Sequence, residues 1–293
     1  MILEGDDVRV NYFVSGEGTP VTLLHGFTQN GRSWLEIISR MPEGWMWIVP
    51  DLRGHGDTRT MPDAPCTMDA CTRDLEMLWD HLGVTRTHLA GYSMGGRLAL
   101  HVAARRPERI LSLLTIGAHA GLEEEARGGR RLGDEALAHR IENDGLEAFV
   151  SYWSRLPLFA GLERRGPAFV AQARAERMTN HVAGLACSLR GMGAGSMEPL
   201  WDDLAHATFP CTFVAGQLDH GYVNSARRLA ATVPDGRVEV VPRAGHTVHQ
   251  ERPDAFARIL ADHLAAATSG ARTPEPSSDF AAGDEWPSSS TSA

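Results

Sequence analysis

Cysteine is scarce in this chain of 293 residues: Cys66, Cys71, Cys187 and Cys211 are the only four, and none stands in a CxxC pair. So few cysteines build no disulfide framework, and the expectation is reduced thiols in a reducing compartment. Long apolar runs are missing too. None approaches the roughly 20 residues needed to cross a bilayer, so no membrane partner is expected. The opening Met1-Ile2-Leu3-Glu4-Gly5-Asp6-Asp7 has neither the basic nor the apolar stretch of a secretory signal, and a cytoplasmic location is expected. Blocks of positive charge are absent as well. The formal charge is −9 with the arginines dispersed, which speaks against nucleic acid as a partner. The 13 histidines form no HExxH or similar ligand spacing, so no metal is expected. Without a GxGxxG or a phosphate-binding loop, no nucleotide cofactor is expected either, and the chain contains no internal repeat.

What is present is alternation. Strand-like segments rich in β-branched and aromatic residues (Val8 to Val14, Val21 to His25, Met46 to Pro50) are followed by a helical pattern from Met68 to His81. Further strands are predicted at Thr87 to Ala90 and Ile110 to Ile116. This rhythm predicts an α/β fold with a mostly parallel, buried sheet flanked by helices. From 118 to 207 the sequence turns mostly helical, with segments at Arg130 to Asn143, Leu146 to Ser154 and Pro167 to Thr179. Leu156-Pro157-Leu158-Phe159 and Gly191-Met192-Gly193-Ala194-Gly195 interrupt it. The prediction is a helical cap, inserted after the strand at 110–116 and folded over the sheet's carboxyl edge. Residues 1–117 and 208–267 then form the core, closed by strands at Cys211 to Ala215 and Arg237 to Val241 and by a helix from Pro253 to Ala267. Residues 268–293 are dominated by Ser, Thr, Pro, Gly and acidic residues, which bury too little apolar surface to offset ordering entropy, and a disordered tail is expected.

Candidate chemistry concentrates at Gly91-Tyr92-Ser93-Met94-Gly95, a serine between glycines where a strand gives way to a helix. That context predicts a nucleophile elbow, a strained turn that lifts the serine Oγ clear of the sheet. Asp219 follows the strand at 211 and His246 follows the strand at 237, giving the chain order Ser, Asp, His of an α/β-hydrolase triad. His249 and His220 are rivals to His246, and Asp202 and Asp203 are rivals to Asp219. Gly245-His246 directly after a strand is the stronger placement, with His249 packing at the start of the closing helix; Asp202 and Asp203 precede their strand. The oxyanion hole is predicted from the backbone amides of Met94 and Phe27, the latter in the His25-Gly26-Phe27 loop. Asp51-Leu52-Arg53-Gly54-His55-Gly56 is expected to stabilise the loop flanking the site.

Gly91-Tyr92-Ser93-Met94-Gly95-Gly96-Arg97-Leu98-Ala99-Leu100 and Ala244-Gly245-His246-Thr247-Val248-His249-Gln250-Glu251 resemble signature stretches of the MenH family of α/β-hydrolases. The likeness continues through the cap in Gly145-Leu146-Glu147-Ala148-Phe149, Trp153, Leu156-Pro157-Leu158-Phe159, Gly184-Leu185-Ala186 and Ser188-Leu189-Arg190-Gly191-Met192-Gly193. It covers roughly residues 8 to 265, and cap agreement is more specific than the elbow. The resemblance implies a lyase of menaquinone biosynthesis, a 2-succinyl-6-hydroxy-2,4-cyclohexadiene-1-carboxylate synthase that eliminates pyruvate from an enolpyruvyl precursor. It implies Ser93, His246 and Asp219 as a proton-abstracting unit and a small-molecule polycarboxylate as the partner. It further implies substrate contacts from Tyr92, Arg97, Arg130, Trp153 and Arg177, with guanidinium recognition of carboxylates. The chain departs from the family's pattern at His220-Gly221-Tyr222, where a lysine and a phenylalanine are common, and at Thr58, where serine is usual. A serine carboxylesterase or carbon–carbon bond hydrolase is the alternative that the same triad serves. A non-catalytic receptor is disfavoured by the intact triad, and serine at the elbow excludes reactions that need an aspartate nucleophile.

Overall fold

The computed structural model describes residues 1–269. Nine strands form one sheet: β1 (Ile2–Glu4), β2 (Val8–Ser15), β3 (Thr19–Leu24), β4 (Trp45–Pro50), β5 (Arg59–Thr60), β6 (Thr87–Tyr92), β7 (Ile110–Ile116), β8 (Cys211–Gly216) and β9 (Gly236–Val241). Their order is β1-β2-β4-β3-β6-β7-β8-β9, with β5 paired to β2. β2 runs antiparallel to its neighbours, and from β4 through β9 every pairing is parallel. Burial explains the division. β6 and β8 are buried along their whole length, as central parallel strands covered on both faces must be, whereas β2 alternates between buried and exposed positions. The chain has the α/β-hydrolase architecture.

Among the described residues ten α-helices accompany the sheet: α1 (Leu35–Ile38), α2 (Met68–His81), α3 (Met94–Arg105), α4 (Glu124–Trp153), α5 (Pro167–Arg177), α6 (Val182–Met192), α7 (Trp201–Leu204), α8 (His220–Thr232), α9 (Val248–Glu251) and α10 (Pro253–Ser269). α2 begins where Thr67 caps it, the Thr67 side chain accepting a hydrogen bond from the Ala70 amide. Core packs on both faces of the sheet. Leu24, Leu89, Leu98, Leu113 and Phe213 belong to one cluster, and Val21, Leu23, Trp34, Ile116 and Phe256 to the other. α10 extends through Ser269, past the Ala267 expected from sequence, and so includes the start of the segment expected to be disordered. The rest of that segment lies outside the described residues.

The helical excursion between β7 and β8 has its own small core of Ala138, Ile141, Phe149, Leu185, Ala186 and Leu189. α4 is bent sharply at Gly145 (φ 78°, ψ 169°), which separates the two helical segments that the sequence pattern distinguishes. α6 is not foreseen by that pattern, because Gly184 and Gly191 dilute it. Both glycines sit where α6 touches the core backbone, at Gly54 and at Cys66. Both ends of the stretch 118–207 expected to form the cap belong to the main core instead: Ala118, Ala120, Met197, Leu200, Leu204 and Ala207 are packed into it.

Beneath the sheet's far end lies a buried polar relay. His88 Nδ1 meets Ser112 Oγ at 2.7 Å, Ser112 Oγ meets His263 Nε2 at 2.8 Å, and His263 Nδ1 meets Thr212 Oγ1 at 2.9 Å. Burial disfavours the charged form and pulls His88 down to about 4 and His263 down to about 3. In the unfolded chain both would titrate near 6.5, so between that value and the depressed ones the unfolded state binds more protons and stability rises with pH, falling as the solution is acidified. The stabilisation is complete above about pH 6.5 and is lost at roughly 1.4 kcal/mol per pH unit per histidine below it. The thermal midpoint should therefore decline progressively as pH is lowered from 6.5 to 4.5, with more than one proton taken up on unfolding at the acid end of that range. A flat profile in calorimetry across that window would contradict this account.

Candidate active site

β6 delivers the elbow. Ser93 carries φ 52° and ψ −108°, a strained backbone for a residue with a Cβ, at the junction of β6 and α3. Its amide donates to Ile116 O at 2.8 Å and its carbonyl accepts from the Arg97 amide at 2.9 Å, so strand and helix both hold the turn. A Cβ at Gly91 would strike the Gly95 carbonyl, and one at Gly95 would strike the carbonyls of Leu24 and His25. α3 therefore starts in direct contact with two strand ends, and Ser93 stands above them.

Asp219 closes the loop after β8 at the start of α8, and His246 lies in the loop between β9 and α9. His246 Nδ1 is 2.7 Å from Asp219 Oδ2, and His246 Nε2 is 3.0 Å from Ser93 Oγ. With a carboxylate on one side, Nδ1 carries the proton and donates it, leaving Nε2 as acceptor for the serine hydroxyl. The rivals are elsewhere. His249 is buried between Tyr92 and Trp34, with ring centroids 4.5 and 4.8 Å away, and neither of its nitrogens has a partner among the described residues. Asp203 is paired with Arg105 at 3.1 Å, away from the triad.

Phe27 and Met94 border the same cavity as Ser93, and neither backbone amide has a hydrogen-bond partner among the described residues. The Phe27 loop is fixed from two sides. His25 is hydrogen-bonded through Nδ1 to Gly26 O and accepts from the Leu52 amide at Nε2, both at 2.9 Å. Asp51 accepts from the amides of Gly31 and Asp57 and from Asn11 Nδ2. Arg53, 2% exposed, is in turn clasped by Asp74 and Asp7.

The cavity above Ser93 measures about 360 Å³. Its walls include Arg97, Arg130 and Trp153, and Leu137, Leu158, Leu189 and Met192 supply apolar surface. Every cation in this protein is a guanidinium apart from the chain terminus and histidine, because the sequence contains no lysine. Arg97 is buried, donates from Nη1 to Met192 O at 2.7 Å, and is pulled down to about 10 by burial, so it remains charged at neutral pH. Arg130 Nε donates to the buried Asp134 at 2.8 Å, which orients the guanidinium.

Two residues expected at the substrate do not border this cavity. Tyr92, the last residue of β6, projects to the other side from Ser93 and packs beneath His246 with ring centroids 5.3 Å apart. Arg177 donates from Nη1 to Ala173 O and stacks 5.1 Å above Phe159, bordering a neighbouring cavity inside the cap. Conversely, Tyr222 does border the Ser93 cavity, its ring 4.6 Å from that of His246. Ser188 is also on the wall. Tyr222 is one of the departures from the family pattern noted above, which is the signal that marked it.

The family model for the alpha/beta hydrolase fold matches residues 19–253. A putative 2-succinyl-6-hydroxy-2,4-cyclohexadiene-1-carboxylate synthase of Bacillus subtilis is 37% identical over 265 residues, covering 87% of this chain and 95% of its own. The chain belongs to the MenH family of α/β-hydrolases. A synthase of the same name from Enterobacter sp. is 31% identical over 246 residues, covering 83% of this chain and 91% of its own. Among solved structures, MenH from S. aureus superposes with a TM-score of 0.83 at 30% identity, covering 88% of this chain and 98% of its own. A thermophilic esterase from Thermogutta terrifontis, solved with malate bound, reaches 0.77 at 26% identity, covering 89% and 94%. MenH relatives and an esterase therefore share one scaffold. The elbow is the feature most sensitive to change: Gly95→Ala should destabilise the protein by at least about 2 kcal/mol and abolish activity. Chemical denaturation beside the wild type checks this, and an unchanged midpoint would show that the contact with β3 is not tight.

Proposed function

We propose that this MenH-family protein eliminates pyruvate from 2-succinyl-5-enolpyruvyl-6-hydroxy-3-cyclohexene-1-carboxylate, giving 2-succinyl-6-hydroxy-2,4-cyclohexadiene-1-carboxylate. The observation that carries the reading is the pair of guanidiniums, Arg97 and Arg130, on the wall of the Ser93 cavity. A substrate bearing several carboxylates needs such cations, and a neutral ester does not. Arg97 is buried, where charge recognition is strong, while the half-exposed Arg130 side chain stands at the cavity's solvent side.

In this mechanism the Ser93–His246–Asp219 unit takes the ring proton next to the succinyl ketone. The electron pair of that C–H bond forms a new ring double bond, the existing one shifts by one position, and the distal C–O bond breaks. Pyruvate departs as its enolate and becomes the ketone on receiving the proton that His246 holds. The Phe27 and Met94 amides stabilise the enolate oxygen that develops on the succinyl ketone, a contribution of about 3 to 4 kcal/mol per donor at sites of this kind. Asp219 keeps the Nδ1–H tautomer of His246 and stabilises the imidazolium. Trp153 and Tyr222 supply flat walls for the ring. No cofactor enters this scheme. A cytoplasmic setting accords with the four free cysteines and with the lack, among the described residues, of any helix long and apolar enough to cross a membrane.

Pyruvate release in a coupled assay tests the proposal. Ser93→Ala should lower the rate by about a thousandfold or more, and Arg97→Met should lower kcat/KM by about a hundredfold, the loss of a charge-assisted contact. Release of no pyruvate, with brisk Ser93-dependent cleavage of p-nitrophenyl acetate, would replace the lyase by the esterase reading.

A further inference from the structure

α9 is only four residues long, yet three of its side chains, His249, Gln250 and Glu251, are buried and polar, and the last two make links outside the helix. Glu251 faces backward onto the residues on either side of His246. Its carboxylate accepts from the Gly245 amide at 2.9 Å, from the Thr247 amide at 3.2 Å and from Thr247 Oγ1 at 2.9 Å. The Glu251 side chain is 0% exposed, so these contacts and one cation account for its charge. That cation comes from the cap: Arg164 Nη2 donates to Glu251 Oε2 at 2.8 Å and to Arg243 O at 2.9 Å. Gly161, one turn earlier on the same cap segment, lies so close that a Cβ there would strike the Glu251 carboxylate.

Gln250 reaches the other way, to the oxyanion loop. Gln250 Oε1 accepts from Gln29 Nε2 at 3.1 Å, and Gln29 Oε1 accepts from the Gly26 amide at 3.2 Å, one residue from Phe27. The cap holds this arm as well, since Arg165 Nη1 donates to the Gln250 carbonyl and Nη2 pairs with Glu36 at 2.7 Å. One short helix thus ties down the base and the Phe27 donor together, and two adjacent cap arginines grip it. Neither arginine borders the Ser93 cavity.

We propose that Glu251 and Gln250 are positioning residues for the reaction, and that Arg164 and Arg165 latch the cap onto them. His246 and the Phe27 amide are then held in register only while the cap is seated. The carboxylate end of the Arg164 link is fully buried although the arginine is half exposed, and polar links anchored on a buried group loosen as a unit when one partner is lost. The kinetic arm of the test rests on the elimination proposed above; the exchange arm needs no substrate.

Hydrogen exchange, read by mass spectrometry on the whole enzyme, should be at least tenfold faster at residues 25–31 and 243–252 in the Arg164→Met, Arg165→Met double variant. Its kcat for pyruvate release should fall about tenfold with KM unchanged within twofold, and the Arg→Lys pair should recover most of both. Unchanged exchange at either segment overturns the latch, as does a lowered thermal midpoint with full kcat per folded molecule. If the double variant does not fold, Gln29→Leu severs the Gln250 arm from the core side, and unaltered exchange at 25–31 then overturns the latch. Faster exchange in a protein whose wild type releases no pyruvate would keep the latch and refute the lyase.

Discussion

The contact on which the site depends is the one between the start of α3 and the carboxyl ends of β3 and β6, made at Gly91 and Gly95 with no side chain between the backbones. Because helix and strand touch there, the chain has no relaxed route from one to the other, and Ser93 takes up the strain in a backbone conformation unusual for its type. The same turn brings the first residue of α3 to the cavity and leaves its amide without a partner among the described residues. Asp219 and His246 come from neighbouring strand ends, so their separation is inherited from the spacing of the parallel sheet and not from any local motif. The triad is a property of the sheet edge.

Local signals were legible wherever a segment's own residues decide its state. Met68–His81 and Ile110–Ile116 begin and end where their capping residue and apolar run imply. The triad could be read because each member sits just past a strand and strands are marked by composition. The cap was harder, since α6 contains two glycines whose purpose is close approach to the core at Gly54 and Cys66, a tertiary reason that looks like a helix breaker in sequence. Side-chain direction was the least visible property. Tyr92 is adjacent to Ser93 yet packs against His246, because it still belongs to β6 whereas Ser93 sits on the turn with positive φ. Arg177 turns onto Phe159 within the cap, a choice set by packing that the spacing of cap arginines does not encode.

A Ser-His-Asp arrangement serves ester hydrolysis and proton abstraction alike, so in this chain the charge in the cavity carries the distinction. A chain without lysine places planar, multiply donating cations at every such point. Arg97 is held by a carbonyl and Arg130 by a carboxylate, so one contributes nearly its whole charge to the cavity and the other is partly offset by Asp134. Carboxylates of unequal importance would find unequal partners there.

The bend at Gly145 has a geometric corollary. Arg130 and Leu137 ride on one arm of α4 and Trp153 on the other, so the width of the cavity between cation and indole is governed by a single pair of backbone angles. One hinge residue would tune the size of acceptable substrate independently of how its charges are read.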